Sequence, residues 1–281
     1  MMFQEKSFDT GEVILNYAEN SNTGEPMVLL HGGSVSWENL NPILKPLSAQ
    51  YHIFACDLRG HGKSGRPADD QYHIIDYARD IAAFFQAKVD QPAILVGHSL
   101  GGLTALATAA QVPDCIRALI LLDPPLFIRE LQMQERPQIA QWLGFVYDMV
   151  SKAKSVEDII EIARPFTPTD RPEAETRKNA ERIFATAPGT IKTMLDNQVL
   201  EGFDIKEALN SLTCPTLLLS GEWDKGSVVR DEDAAYVHQQ APNAITRKLL
   251  NAGHQVHEDQ TETVLQAINT FLERAKPDAQ L

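Results

Sequence analysis

Six short runs of apolar residues recur without alternation, at 27–30, 53–56, 94–96, 118–122, 216–219 and 245–250, and helical patterns separate them. A strand that is apolar on both faces is covered on both faces, as in a parallel sheet layered between helices. The order strand, helix, strand therefore predicts a doubly wound α/β core, with residues 13–19 adding an antiparallel edge strand. The rhythm breaks between Pro124 and about Ser211. There, helical patterns at 138–150, 156–163 and 173–187 follow one another, punctuated by Pro165, Pro168, Pro172 and Pro188. That stretch reads as a helical insertion over the sheet, a candidate lid. The expected organisation is a core made of residues 1–123 and 212–281 and a cap made of 124–211, with a frayed tail from Lys276.

Length and charge narrow the function. A chain of 281 residues accommodates one large α/β domain with an insertion, or two ordinary domains. A net charge of −13 disfavours nucleic acid and anionic membranes, whose phosphates need a basic footprint. No apolar run approaches a bilayer-spanning length, and the first residues lack a basic start followed by an apolar stretch, so a cytoplasmic location is expected; the charge says little about a small neutral substrate. Cys56, Cys115 and Cys214 are widely spaced and odd in number, which fits small buried apolar residues better than a disulfide framework or a zinc site. No histidine–carboxylate cluster has metal-ligand spacing, so neither a metal nor another cofactor is expected.

Chemistry enters at Gly97-His98-Ser99-Leu100-Gly101, which lies between the run ending at Val96 and the small-residue helical stretch 101–110. A Gly-x-Ser-x-Gly at a strand-to-helix turn holds the serine in a strained corner with its hydroxyl above the sheet, so Ser99 is the candidate nucleophile. A serine hydroxyl needs a base, and that base an orienting carboxylate. After the run ending at Leu219 comes Gly221-Glu222-Trp223-Asp224, and after the last run comes Ala252-Gly253-His254. Asp224 and His254 thus fall at the same sheet edge as Ser99, in the order Ser, Asp, His. Two rivals exist. Asp123, at the end of 118–122, occupies another strand end from which an acid can come, and Asp224 is preferred because its turn precedes the histidine strand. His257 is the alternative base, but its place at the start of a helix suits a solvated or capping role. His31 and His98 read as buried imidazoles that hold loops in shape, and Arg59, His61 and Ser64 as a brace.

These motifs, with Leu30-His31-Gly32-Gly33 and Asp57-Leu58-Arg59-Gly60-His61-Gly62-Lys63-Ser64, resemble those of the α/β-hydrolase superfamily, over about residues 11–272. The resemblance implies an α/β-hydrolase fold, a mostly parallel eight-stranded sheet between helices with a helical cap. It also implies an oxyanion hole formed by the backbone N–H groups of Gly33 and Leu100. Trp37, Leu126, Phe127, Trp142, Phe145, Phe166 and Val228 are candidates for the apolar walls of a substrate pocket. The expected activity is hydrolysis of a small, largely apolar carboxylic ester or lactone through an acyl-enzyme. Relatives with an aspartate nucleophile do not match Ser99, and Ser34 stands where perhydrolases often have proline. A C–C bond hydrolase acting on a diketone, or a cofactor-free perhydrolase, is the alternative enzyme on the same residues. A small-molecule receptor of this fold is the alternative of another class.

Overall fold

The computed structural model describes residues 2–128 and 136–275; the tail expected to fray from Lys276 lies outside them. Its eight strands form one sheet in the order β1-β2-β4-β3-β5-β6-β7-β8. They are β1 (Gln4–Asp9), β2 (Ile14–Glu19), β3 (Pro26–Leu30), β4 (His52–Cys56), β5 (Ala93–His98), β6 (Ile116–Leu122), β7 (Thr216–Ser220) and β8 (Ala244–Lys248). From β4 to β8 every neighbouring pair is parallel, and β2 joins β4 antiparallel. The antiparallel edge is a hairpin of two strands where one was expected. β1, with the sequence QEKSFD, is exposed almost throughout and carries no apolar run to betray it.

Alternate side chains of the buried strands feed two separate cores, one on each face of the sheet. Val28, Leu30 and Leu95 join the face covered by helices α2 (Ile74–Lys88) and α3 (Leu100–Gln111). Met27, Leu29, Ile94 and Val96 join the face covered by α1 (Asn41–Leu47) and the C-terminal helix Thr261–Arg274. The last apolar run departs from its reading as a strand covered on both faces: Ile245 is 45% and Leu250 67% exposed. β8 ends the sheet, so among the described residues no strand pairs with its outer edge.

In the segment between β6 and β7, helices α4 (Pro137–Lys152), α5 (Val156–Ala163), α6 (Glu173–Ala185) and α7 (Pro188–Leu195) close on a cluster of their own that includes Leu143, Val146, Met149, Ile159 and Ile191. α8 (Ile205–Asn210) behaves differently. It buries Ala208 and Leu209 in the main core, against α3 and α9 (Asp231–Gln240). Among its described residues, the segment 124–211 thus holds α4 to α7 packed on one another and α8 covering the sheet.

The loop after β4 works as the brace expected of it. Arg59 is fully buried and grips Asp80 through Nε (2.6 Å) and Nη2 (2.7 Å), with further bonds to Glu12 and the Gln71 carbonyl. Ser64 Oγ donates to the Asp57 carbonyl and accepts from the β2 amide of Asn16. Removing one partner of a buried pair leaves an uncompensated charge. Asp80→Ala is therefore expected to lower unfolding free energy by about 3 kcal/mol, read as a fall in urea midpoint with little change in slope.

Candidate active site

β5 ends in a turn too tight for side chains on its flanks. A Cβ on Gly97 would lie 2.1 Å from the Gly101 carbonyl oxygen, and one on Gly101 would lie 2.4 Å from that of Leu30. Ser99, between them, sits at φ +52° and ψ −119°, a strained backbone for a residue with a Cβ. Its amide donates to the Leu122 carbonyl at 3.0 Å, stitching the turn to the end of β6. The hydroxyl faces a cavity of about 720 Å³.

Ser99 Oγ is 2.9 Å from His254 Nε2, and His254 Nδ1 is 2.7 Å from Asp123 Oδ2. A hydroxyl, an imidazole and a carboxylate in this chain can pass a proton from oxygen to ring while the carboxylate fixes the tautomer. Asp123 follows the last residue of β6 at φ +45° and is fully buried. Besides His254, it accepts from Gly221 N (3.2 Å), Ser227 Oγ (2.6 Å) and Val228 N (2.9 Å). These donors hold its carboxylate in one orientation.

The preferred acid of the sequence reading, Asp224, makes no such contact and is corrected here. It lies exposed at the cavity rim in a single 3₁₀ turn (Trp223–Lys225) that closes on Gly226 at φ +103°. The chain then returns inward at Ser227 and Val228, so this loop gives Asp123 two donors and gives His254 no carboxylate.

Burial explains the other histidines. His31 is bonded through Nδ1 to the Gly32 carbonyl (2.6 Å) and accepts at Nε2 from the Leu58 amide (3.0 Å); desolvation pushes its pKa down to about 4. His98, held well below its ordinary value by burial, donates from Nε2 to the His254 carbonyl at 2.9 Å. Its ring lies between those of His254 and His257, at centroid distances of 4.9 and 4.5 Å. His257 is fully buried rather than solvated, and burial lowers its pKa to about 4. Gly32 completes the packing: a Cβ there would come within 2.9 Å of His98 Nδ1 and 3.2 Å of Ser99 Cβ. His98→Ala is expected to lower kcat about 10- to 100-fold with little change in KM, because it loosens the loop that carries His254.

A family model described as the alpha/beta hydrolase fold matches residues 25–261. The chain belongs to that family. It is 27% identical over 277 residues to the 2-(acetamidomethylene)succinate hydrolase of Mesorhizobium japonicum, covering 96% of each chain. It is also 27% identical to Lipase 3 of a Moraxella species, over 85% of this chain and 74% of the relative. The solved structure of E-2-(acetamidomethylene)succinate hydrolase superposes with a TM-score of 0.76 at 25% identity, covering 97% of this chain and all of that one. This alpha/beta hydrolase is an enzyme, and its relatives are hydrolases and lipases. Among the described residues no helix is long and apolar enough to cross a membrane.

The hydrolase cavity lies between the strand-end loops that carry Ser99 and His254 and helices α4 and α7. Gly33 and Leu100, the expected oxyanion donors, line it beside Ser99; Leu100 opens α3, where backbone N–H groups lack an intrahelical acceptor. Trp142 and Val228 line it as expected. The other five wall candidates, Trp37, Leu126, Phe127, Phe145 and Phe166, do not. Trp37 packs on Phe3 and donates to Glu5, and Leu126 is 1% exposed inside the main core. Phe127 lies edge-on to Tyr236, and Phe145 packs on Phe166 within the insertion. In their place stand Ile139, Ile191 and Met194, aliphatic residues of α4 and α7, together with Ile128. Helical periodicity marks such side chains as buried but does not say whether a cavity or a neighbour covers them. Arg136 and Asp224 are the charged rim residues that sequence reasoning did not single out for binding.

Proposed function

We propose that this hydrolase cleaves a small, largely apolar carboxylic ester or lactone through an acyl-enzyme. Ser99 attacks the carbonyl carbon as its proton passes to His254 Nε2. Asp123 stabilises the resulting imidazolium, and the N–H groups of Gly33 and Leu100 receive the oxyanion. His254 then protonates the leaving alcohol and activates the water that releases the acid. The observation that carries this reading is the continuous hydrogen-bonded chain from Ser99 to Asp123 at the floor of an apolar-walled cavity. The helices α4 and α7 roof that cavity and act as its lid. The matched lipase supports ester chemistry.

The test is a panel of p-nitrophenyl esters, lactones and diketones, run beside labelling with an organophosphate and peptide mapping. Repeated turnover of an ester or lactone, with the label on Ser99, is the expected result. A label on another residue overturns the site, and turnover of the diketone alone moves the chemistry to C–C cleavage.

A further inference from the structure

Among the described residues lining the cavity, the only lysine or arginine is Arg136, and no step above uses it. It immediately precedes α4, so its charge sits at the positive end of that helix's dipole, an unfavourable place for a cation unless an anion joins it. The guanidinium carbon lies 3.8 Å from the centroid of the Trp223 ring, and Nη2 donates to the Trp223 carbonyl. Stacking and hydrogen bond together fix the plane of the group. These two contacts occupy a small part of its donor capacity, and among the described residues it forms no ion pair. A preset planar fork beside hydrocarbon walls is the arrangement that recognises a carboxylate. Asp224, on the same rim, disfavours a more highly charged anion such as a phosphate dianion. The volume leaves room for such a group, since about 720 Å³ is the scale of a drug-sized ligand rather than of a short ester alone.

We infer that Arg136 binds a carboxylate carried by the substrate away from the scissile bond, so that the preferred substrates are half-esters or other acid-bearing esters. This rests on the hydrolase reading centred on Ser99.

The experiment compares matched pairs of substrates that differ by one charge. On the acyl side the pair is p-nitrophenyl hexanoate and p-nitrophenyl hydrogen adipate; on the alcohol side it is p-tolyl acetate and p-acetoxybenzoate. In at least one pair the wild-type enzyme should favour the acid-bearing member in kcat/KM. R136Q should reduce that preference about 10- to 100-fold, chiefly through KM, and high salt should narrow it in the wild type. R136K, which keeps the charge without the fork, should restore only part of it. No preference in either pair, or a preference that survives in R136Q, overturns the inference while leaving ester hydrolysis standing. If the wild type turns over none of the four, the hydrolase reading fails, and calorimetric binding of adipate decides this inference alone. Binding that weakens in R136Q supports it, and absent or unchanged binding overturns it.

Discussion

Asp123→Asn is expected to lower kcat about 10⁴-fold, whereas Asp224→Asn should change it by less than about threefold. The reason lies in proton direction. Asp123 Oδ2 accepts the Nδ1 proton of His254 at 2.7 Å, which leaves Nε2 bare to accept from Ser99. The other oxygen takes Ser227 Oγ and Gly221 N. In the asparagine variant the oxygen stays with those donors and the amide nitrogen turns to His254, at the loss of the Val228 N–H bond that Oδ2 accepts. That forces the ring proton onto Nε2, where it faces the hydroxyl and can accept nothing. Both variants should remain folded, because asparagine keeps the volume. Steady-state kinetics on one ester, with thermal melts as a control on folding, checks the pair. Comparable loss in Asp224→Asn with full activity in Asp123→Asn would return the acid to the β7 loop.

Ser99→Ala should abolish turnover, with a fall in kcat of about 10⁵- to 10⁶-fold, and leave the fold intact. Its companion, Ser99→Gly, separates chemistry from backbone strain. At φ +52° any Cβ is disfavoured, so glycine should be as inactive as alanine yet melt higher, by about 1 kcal/mol in stability. The measurement is a thermal or urea melt of both variants beside an ester assay. A glycine variant that melts lower than the alanine variant would deny that the turn is strained.

Much of the site was legible in the sequence because its chemistry is local. The Gly-x-Ser-x-Gly turn is written within five residues, and Ser99 adopts the strained geometry that pattern implies. His254 follows the last strand and is the imidazole that meets the serine hydroxyl. The acid was harder, since Asp123 and Asp224 both lie in segments that follow a strand at the same sheet edge. What separates them is the path of a loop, set by the left-handed Gly226 and by the inward return at Ser227, and no spacing encodes that path. The pocket walls were least legible. Trp37 and Phe127 carry the composition of a binding wall, but each finds an aromatic partner elsewhere, on Phe3 and Tyr236. Fold elements followed the same division. Buried strands declared themselves through apolar runs, whereas β1 is polar and exposed and carries no apolar run; its full backbone pairing to β2 and the Lys6–Glu19 and Trp37–Glu5 contacts depend on partners that its own six residues do not announce.

The placement of α8 has an engineering consequence. β6 and β7 lie side by side and parallel, so the chain between them must cross from one end of the sheet to the other. α8 already makes part of that crossing on the core surface, while the described helices α4 to α7 before it pack chiefly on one another. Shortening or exchanging α4 to α7 is therefore expected to leave sheet assembly largely untouched while changing the walls of the cavity. Such an architecture separates the residues that shape the cavity from those that assemble the sheet.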